Sequence, residues 1–216
     1  MTFRFRLAAA FSCTLALAGC KSSGDIVVDE GVGITAVRST CPAVGIPDFT
    51  GDVTTFTAPD NYTADALDVS ASMTNLRFDC AENASEIYAT VNFDVLARRT
   101  DTRGAKQVTL PYFVAVMRGG SAIVSKKIGT VTINFADGQE RAQVTGNAAA
   151  FINRAEATLP DDIRRQITRK REAGDADAAV DPLTQPEVRA AVARATFEVL
   201  VGFQLTENQL RYNATR

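Results

Sequence analysis

The chain of 216 residues contains no histidine and no tryptophan. Without histidine, neither a Ser-His-Asp triad nor a Cys-His pair can be assembled. The commonest nitrogen ligand for a metal is absent as well. Without tryptophan, the Cys–Trp–Cys hallmark of antibody domains cannot be present. Basic residues are in slight deficit, 23 Lys+Arg against 25 Asp+Glu, which argues against nucleic acid as a main partner. The apolar stretch from Leu7 to Leu17, interrupted by Ser12, Cys13 and Thr14, falls well short of the ~20 residues needed to cross a bilayer.

Motifs of chemistry are equally sparse. Gly31-Val32-Gly33 is a lone GxG with no helix pattern after it, and Gly119-Gly120-Ser121 lacks the spacing of a nucleophile elbow. Asp175, Asp177 and Asp181 suggest a calcium loop, but Ala179 occupies the third ligand position and Glu187 is out of register. A solvated acidic linker is the better reading. No pair of carboxylates stands in a recognisable setting for acid–base work. The expectation is therefore a protein that is not an enzyme, with no catalytic residue, no metal and no cofactor.

What the chain does have begins at its N-terminus. Arg4 and Arg6, the apolar run, and the small residues before Cys20 make up the three parts of a secretory signal. The sequence Leu17-Ala18-Gly19-Cys20 resembles the lipobox of bacterial lipoproteins. That resemblance implies diacylation of the Cys20 thiol, cleavage between Gly19 and Cys20, and a mature protein anchored in a lipid bilayer by its N-terminus. An ordinary cleaved signal is the other reading. Lys21 is not the aspartate that favours inner-membrane retention in lipoproteins of this kind, so the expected address is the outer membrane, facing the periplasm. Loss of Arg4 and Arg6 lowers Lys+Arg from 23 to 21 against 25 acids, a mature net charge of about −4. Residues 1–19 are thus read as signal peptide and 20–38 as lipidated N-terminus and flexible linker. The Ser, Gly, Asp and Glu content of Lys21 to Gly33 suits a spacer.

Cysteine usage follows from that address. Cys13 leaves with the signal and Cys20 takes lipid, so Cys41 and Cys80 remain. In an oxidising compartment they most simply form a disulfide. A two-thiol metal site would need further ligands.

From Asp65 to Phe135 the hydrophobic period is two, the mark of half-buried strands. Leu67, Val69, Ala71 and Met73 alternate, as do Ile87, Ala89, Val91, Phe93 and Val95, with Tyr88, Thr90, Asn92 and Asp94 on the other face. Val108 to Met117 is almost wholly apolar and reads as a central strand. Gly119-Gly120 turns the chain into Ala122 to Ile133. Gln143 to Ile152 and Thr196 to Leu205 are further strands, and Val53 to Thr57 a weak first one. Polar turns fall at Asp79 to Ser85, Arg98 to Lys106 and Asp137-Gly138. About seven strands at such spacing predict a mainly β domain over 39–213, an antiparallel immunoglobulin- or fibronectin-like β-sandwich.

A helical insertion over 159–195 breaks the pattern before the last strand. Thr158 to Asp161 has capping-box spacing, predicting a mostly exposed helix over Asp162 to Glu172 that ends at Gly174. The same spacing at Thr184 to Glu187 opens a second helix, packed through Val188, Ala191, Val192 and Ala195. A third such box, Thr206 to Gln209, predicts a closing turn of helix. Arg164, Arg165, Arg169, Lys170 and Arg171 form a basic cluster on the first helix. It is a candidate contact for an anionic surface, against the plainer reading of a charged, solvated face.

Several segments together resemble a group of small lipoproteins of alphaproteobacterial envelopes: Cys41-Pro42, Asp79-Cys80, Leu110 to Val116 (LPYFVAV), and Gly202 to Asn213 (GFQLTENQLRYN). The resemblance implies an envelope lipoprotein without assigned activity and carries over no catalytic residue. The chain departs from that group at Asp161 to Ala195, where a shorter connection is expected. The function expected from all of this is a membrane-anchored, non-enzymatic protein-interaction or scaffold module with an envelope protein as partner. The alternative is a carrier holding an envelope glycolipid or other apolar ligand between the sheets.

Overall fold

The structure, a computed structural model, describes residues 38–58 and 61–215. Strands hold 49% of the residues and helices 21%, so the protein is mainly β. The strands in chain order are β1 (Ala43–Gly45), β2 (Asp52–Phe56), β3 (Leu67–Glu82), β4 (Glu86–Arg99), β5 (Lys106–Arg118), β6 (Ala122–Phe135), β7 (Arg141–Asn153) and β8 (Phe197–Phe203). Among the described residues four α-helices accompany them: α1 (Arg154–Ala157), α2 (Asp161–Thr168), α3 (Pro186–Ala195) and α4 (Glu207–Thr215). Two four-stranded sheets result, one ordered β2-β3-β4-β7 and the other β1-β8-β5-β6. All pairings are antiparallel except β1 with β8.

The period-two residues build one shared core. Val69, Ala71 and Met73 of β3, alternate residues of β4 from Ile87 to Ala97, and Ala148, Ala150 and Ile152 of β7 point inward from the first sheet. Alternate residues of β5 from Leu110 to Val116, Val131, Ile133 and Phe135 of β6, and alternate residues of β8 from Phe197 to Phe203 point inward from the second. The Phe93 ring meets Tyr112 edge-on at 5.1 Å across the gap, and Tyr112 Oη donates to the Asn147 carbonyl at 2.6 Å. Gly146 leaves room for Phe93: a Cβ there would lie 2.3 Å from the ring. Gly119 and Gly120 both take positive φ, 63° and 73°, the left-handed region that primed hairpin turns use.

Several expectations are corrected. β1 is an eighth strand, too short for any periodicity to announce. The turn after β3 contracts to Asn83–Ser85, because β3 continues to Glu82. α2 stops at Thr168, six residues before Gly174; five of its eight residues are exposed, as expected, but its other face is buried. Ile163 and Ile167 face α3, where they form a second small core with Val188 and Ala191. Thr158 does not cap α2 but donates to the Arg154 carbonyl at the end of α1, and α2 starts after Pro160. Thr184 likewise does not cap α3. The box at Thr206 does form: Thr206 N–H donates to Gln209 Oε1 at 2.9 Å, and Gln209 N–H to Thr206 Oγ1 at 3.3 Å. α4 is fastened by Asn213, whose Nδ2 donates to the carbonyls of Phe49 and Asp52, and by a Phe56–Tyr62–Tyr212 ring cluster. No helix among the described residues is long and apolar enough to cross a membrane.

Candidate functional site

Residues 38 to 41 enter the fold under firm constraint. Arg38 Nη2 donates to Thr196 Oγ1 at 2.7 Å and Nη1 to the Val192 carbonyl at 3.4 Å, where α3 passes into β8. Burial lowers the Arg38 pKa. Three residues on, Cys41 is bridged to Cys80 near the end of β3, with Cα atoms 6.2 Å apart. Thr40 Oγ1 donates to Glu82, and Arg154 lies 3.7 Å from the same carboxylate. The entering chain is thereby fixed to the end of the β3–β4 hairpin on one side and to the helical insertion on the other. In the chain-entropy view the bridge, closing a separation of 39 residues, contributes about 4 kcal/mol.

A cleft of about 220 Å3 opens between this entering segment, α1 and α2. Ala157, Leu159 and Ile167 supply its apolar side, and Arg38 and Arg164 its charge. The hydroxyls of Thr158 and Thr168 are engaged with helix carbonyls, and Thr40 with Glu82. Its lining has no carboxylate and no thiol to act as acid, base or nucleophile. The arrangement can seat a small apolar group beside positive charge. On the far side of Pro160 a groove of about 340 Å3 runs past Arg118, Glu156 and Arg194.

The structure disperses the basic cluster. Arg164 pairs with Asp161 at 2.6 Å, and Arg165 and Lys170 are exposed. Arg169 grips both oxygens of Asp177, at 2.6 and 2.7 Å. Arg171 is only 3% exposed, with Nε 3.5 Å from Asp177 and Nη2 donating to the Gln166 carbonyl. It therefore cannot belong to a solvated basic face. Burial opposes ionisation of Asp177, but Arg169 and then Arg171 outweigh it and hold the carboxyl below its usual range. Of the acids weighed as a calcium loop, Asp175 and Asp177 are thus counter-ions to the arginines, while Asp181 accepts from the Leu183 N–H. Gly19 and Cys20 lie outside the described residues.

Two features escaped the sequence reading. Arg99, 1% exposed, donates to four backbone carbonyls, those of Thr102, Gly104, Ala136 and Gln139, and lies over the Phe135 ring. Its position in phase with inward-facing Val95 and Ala97 was the available signal. Asp94, on the outer face of β4, accepts from Arg77, Asn75 and Thr145, and the Arg77 bonds above all hold its pKa far below the usual carboxylate range.

No family model, no curated protein and no solved structure matches the chain. The functional reading therefore stands on the residues and their geometry.

Proposed function

We propose that the protein is a membrane-anchored envelope lipoprotein, akin to the alphaproteobacterial group its segments resemble, whose β domain is a non-enzymatic protein-interaction module. The reading places it in the outer membrane facing the periplasm, tethered through acylated Cys20 and residues 21–37. The observation that carries the interaction reading is where space lies in the fold. The gap between the sheets is occupied by Phe93, Tyr112, Ile133, Phe135 and Phe203, which argues for a packed core over a ligand carrier. The clefts described above instead open outward around the insertion, the first of them lined by the entering residues Arg38 to Thr40.

The fold type supports a sandwich in general form, two facing and largely antiparallel sheets, as immunoglobulin- and fibronectin-like domains have. Its strand order is its own: β2, β3 and β4 stay in one sheet, whereas an immunoglobulin domain sends strand C to the sheet opposite B. The insertion, with its separate small core, is the proposed contact element.

In-cell photo-cross-linking from residue 159 or 168, at the cleft, tests this. A discrete protein adduct that disappears when Ser39→Trp fills the cleft is the expected result. Absence of any adduct, together with an apolar small molecule co-purifying at one per chain, would sink the interaction reading and favour the carrier.

A further inference from the structure

The first half of β6 is exposed on both faces. Every residue from Ala122 to Ile128 is exposed, with Ile123 at 65%, Val124 at 51% and Ile128 at 55%. These residues form the outer edge of the β1-β8-β5-β6 sheet, and between them stand Lys126 and Lys127. Lys126 lies 4.9 Å over the half-buried Phe113 ring of β5, adding an aromatic to the same outward face. Acids near the base of this hairpin are Glu156, held by Arg118 at 2.9 Å, and Glu198, which stands beside Met117 in the sheet. Exposed aliphatics interleaved with lysines are what a bilayer interface of anionic lipid accommodates: hydrocarbon for the side chains and head groups for the cations.

The position of the tether makes this arrangement consequential. Arg38, the first described residue, is bonded to Thr196, and the Thr196 carbonyl accepts from Gly119 N–H at the turn leading into β6. The tether thus leaves the fold beside the β5–β6 hairpin. Residues 21–37 can reach at most ~60 Å at full stretch. Anchored at that length, the hairpin samples the lipid surface at an effective concentration around millimolar, where even a weak contact is populated.

We propose that the β5–β6 hairpin, through Ile123, Val124, Ile128, Lys126 and Lys127, seats on the anionic phospholipid surface to which the chain is tethered. Seating would orient the sandwich with this end toward the membrane. The proposal rests on the tethered reading, so its test supplies a tether of its own. The chain from Lys21 onward would be held through an N-terminal polyhistidine tag on nickel-chelating lipid in phosphatidylethanolamine–phosphatidylglycerol vesicles. Because the protein has no tryptophan, Ile123→Trp or Val124→Trp provides a single reporter, and Leu96→Trp on the outer face of the other sheet a control. Reporters at 123 and 124 should shift to the blue and be quenched by brominated lipid, while the control stays as in water. Adding Lys126→Glu with Lys127→Glu should reduce the quenching at least about fivefold. Water-like, unquenched emission at both 123 and 124 would overturn the proposal. So would a blue shift that needs envelope protein and shows no lipid quenching, which would assign the strand to a protein partner. Acylation of Cys20 is read separately from the intact mass of the cell-made protein.

Discussion

Arg99 and Asp94 lie five residues apart on β4 and show two ways of settling a charge. Arg99 is taken out of water altogether, its donors spent on four carbonyls that close the loops at one end of the sandwich. Removing it would take the donor from the Gly104 and Gln139 carbonyls, at about 1–3 kcal/mol for each one left without a partner, whereas those of Thr102 and Ala136 also accept from the Gly138 and Gln139 N–H groups. Asp94 stays ionised through Arg77, Asn75 and Thr145, and its folded pKa is depressed. A depressed carboxylate stabilises the fold fully above its unfolded pKa of about 3.9, and the contribution fades as pH falls through and below that value. Asp94→Asn should therefore lower the urea midpoint most at pH 7 and by clearly less at pH 2–3, flattening the acid limb. Equal loss at both pH values would show that the residue acts through packing alone.

At the scale of elements, the insertion is a small unit leaning on the sandwich. Its core is Ile163 and Ile167 of α2 against Val188 and Ala191 of α3, with Leu159, Leu183 and Val192 around them. So few apolar contacts imply local opening at less cost than global unfolding. Ile167→Ala should cost about 2–4 kcal/mol within this unit. Hydrogen exchange is the measurement: amides of 161–195 should lose protection while those of β4 and β5 keep theirs. Uniform loss across both sheets would mean that insertion and sandwich unfold together. The basic helix itself was legible from its charge run, but its partners were not. Arg169 and Arg171 are satisfied by Asp177, which the sequence pattern places on a linker.

For the whole molecule, the entering segment links several features. The disulfide, the Arg38 contacts, the insertion cleft and the β5–β6 turn all gather about residues 38–41. A partner bound at the cleft and a membrane reached by the hairpin would then lie on one side of the protein, within the tether's span. Cys20→Ala should leave uncleaved, unacylated precursor in the cell, read by mass and by detergent partitioning. Normal processing of that variant would sink the lipid anchor.

Alternation with period two is a property of the chain itself, because successive side chains on a strand face opposite ways. That is why seven of the eight strands, the inward residues Val69, Ala71 and Met73 of β3 and those of β4, and the Gly119-Gly120 turn could be read directly. The pairing of Cys41 with Cys80 was legible as a matter of count. Strand order, the parallel pairing of β1, the burial of Arg99 and Arg171, and the end of α2 at Thr168 depend on which parts of the chain meet, from Asp177 close to Arg171 in sequence to Glu198 beside Ala43. No local pattern encodes them, since they follow from which surfaces meet once the sheets close on one core.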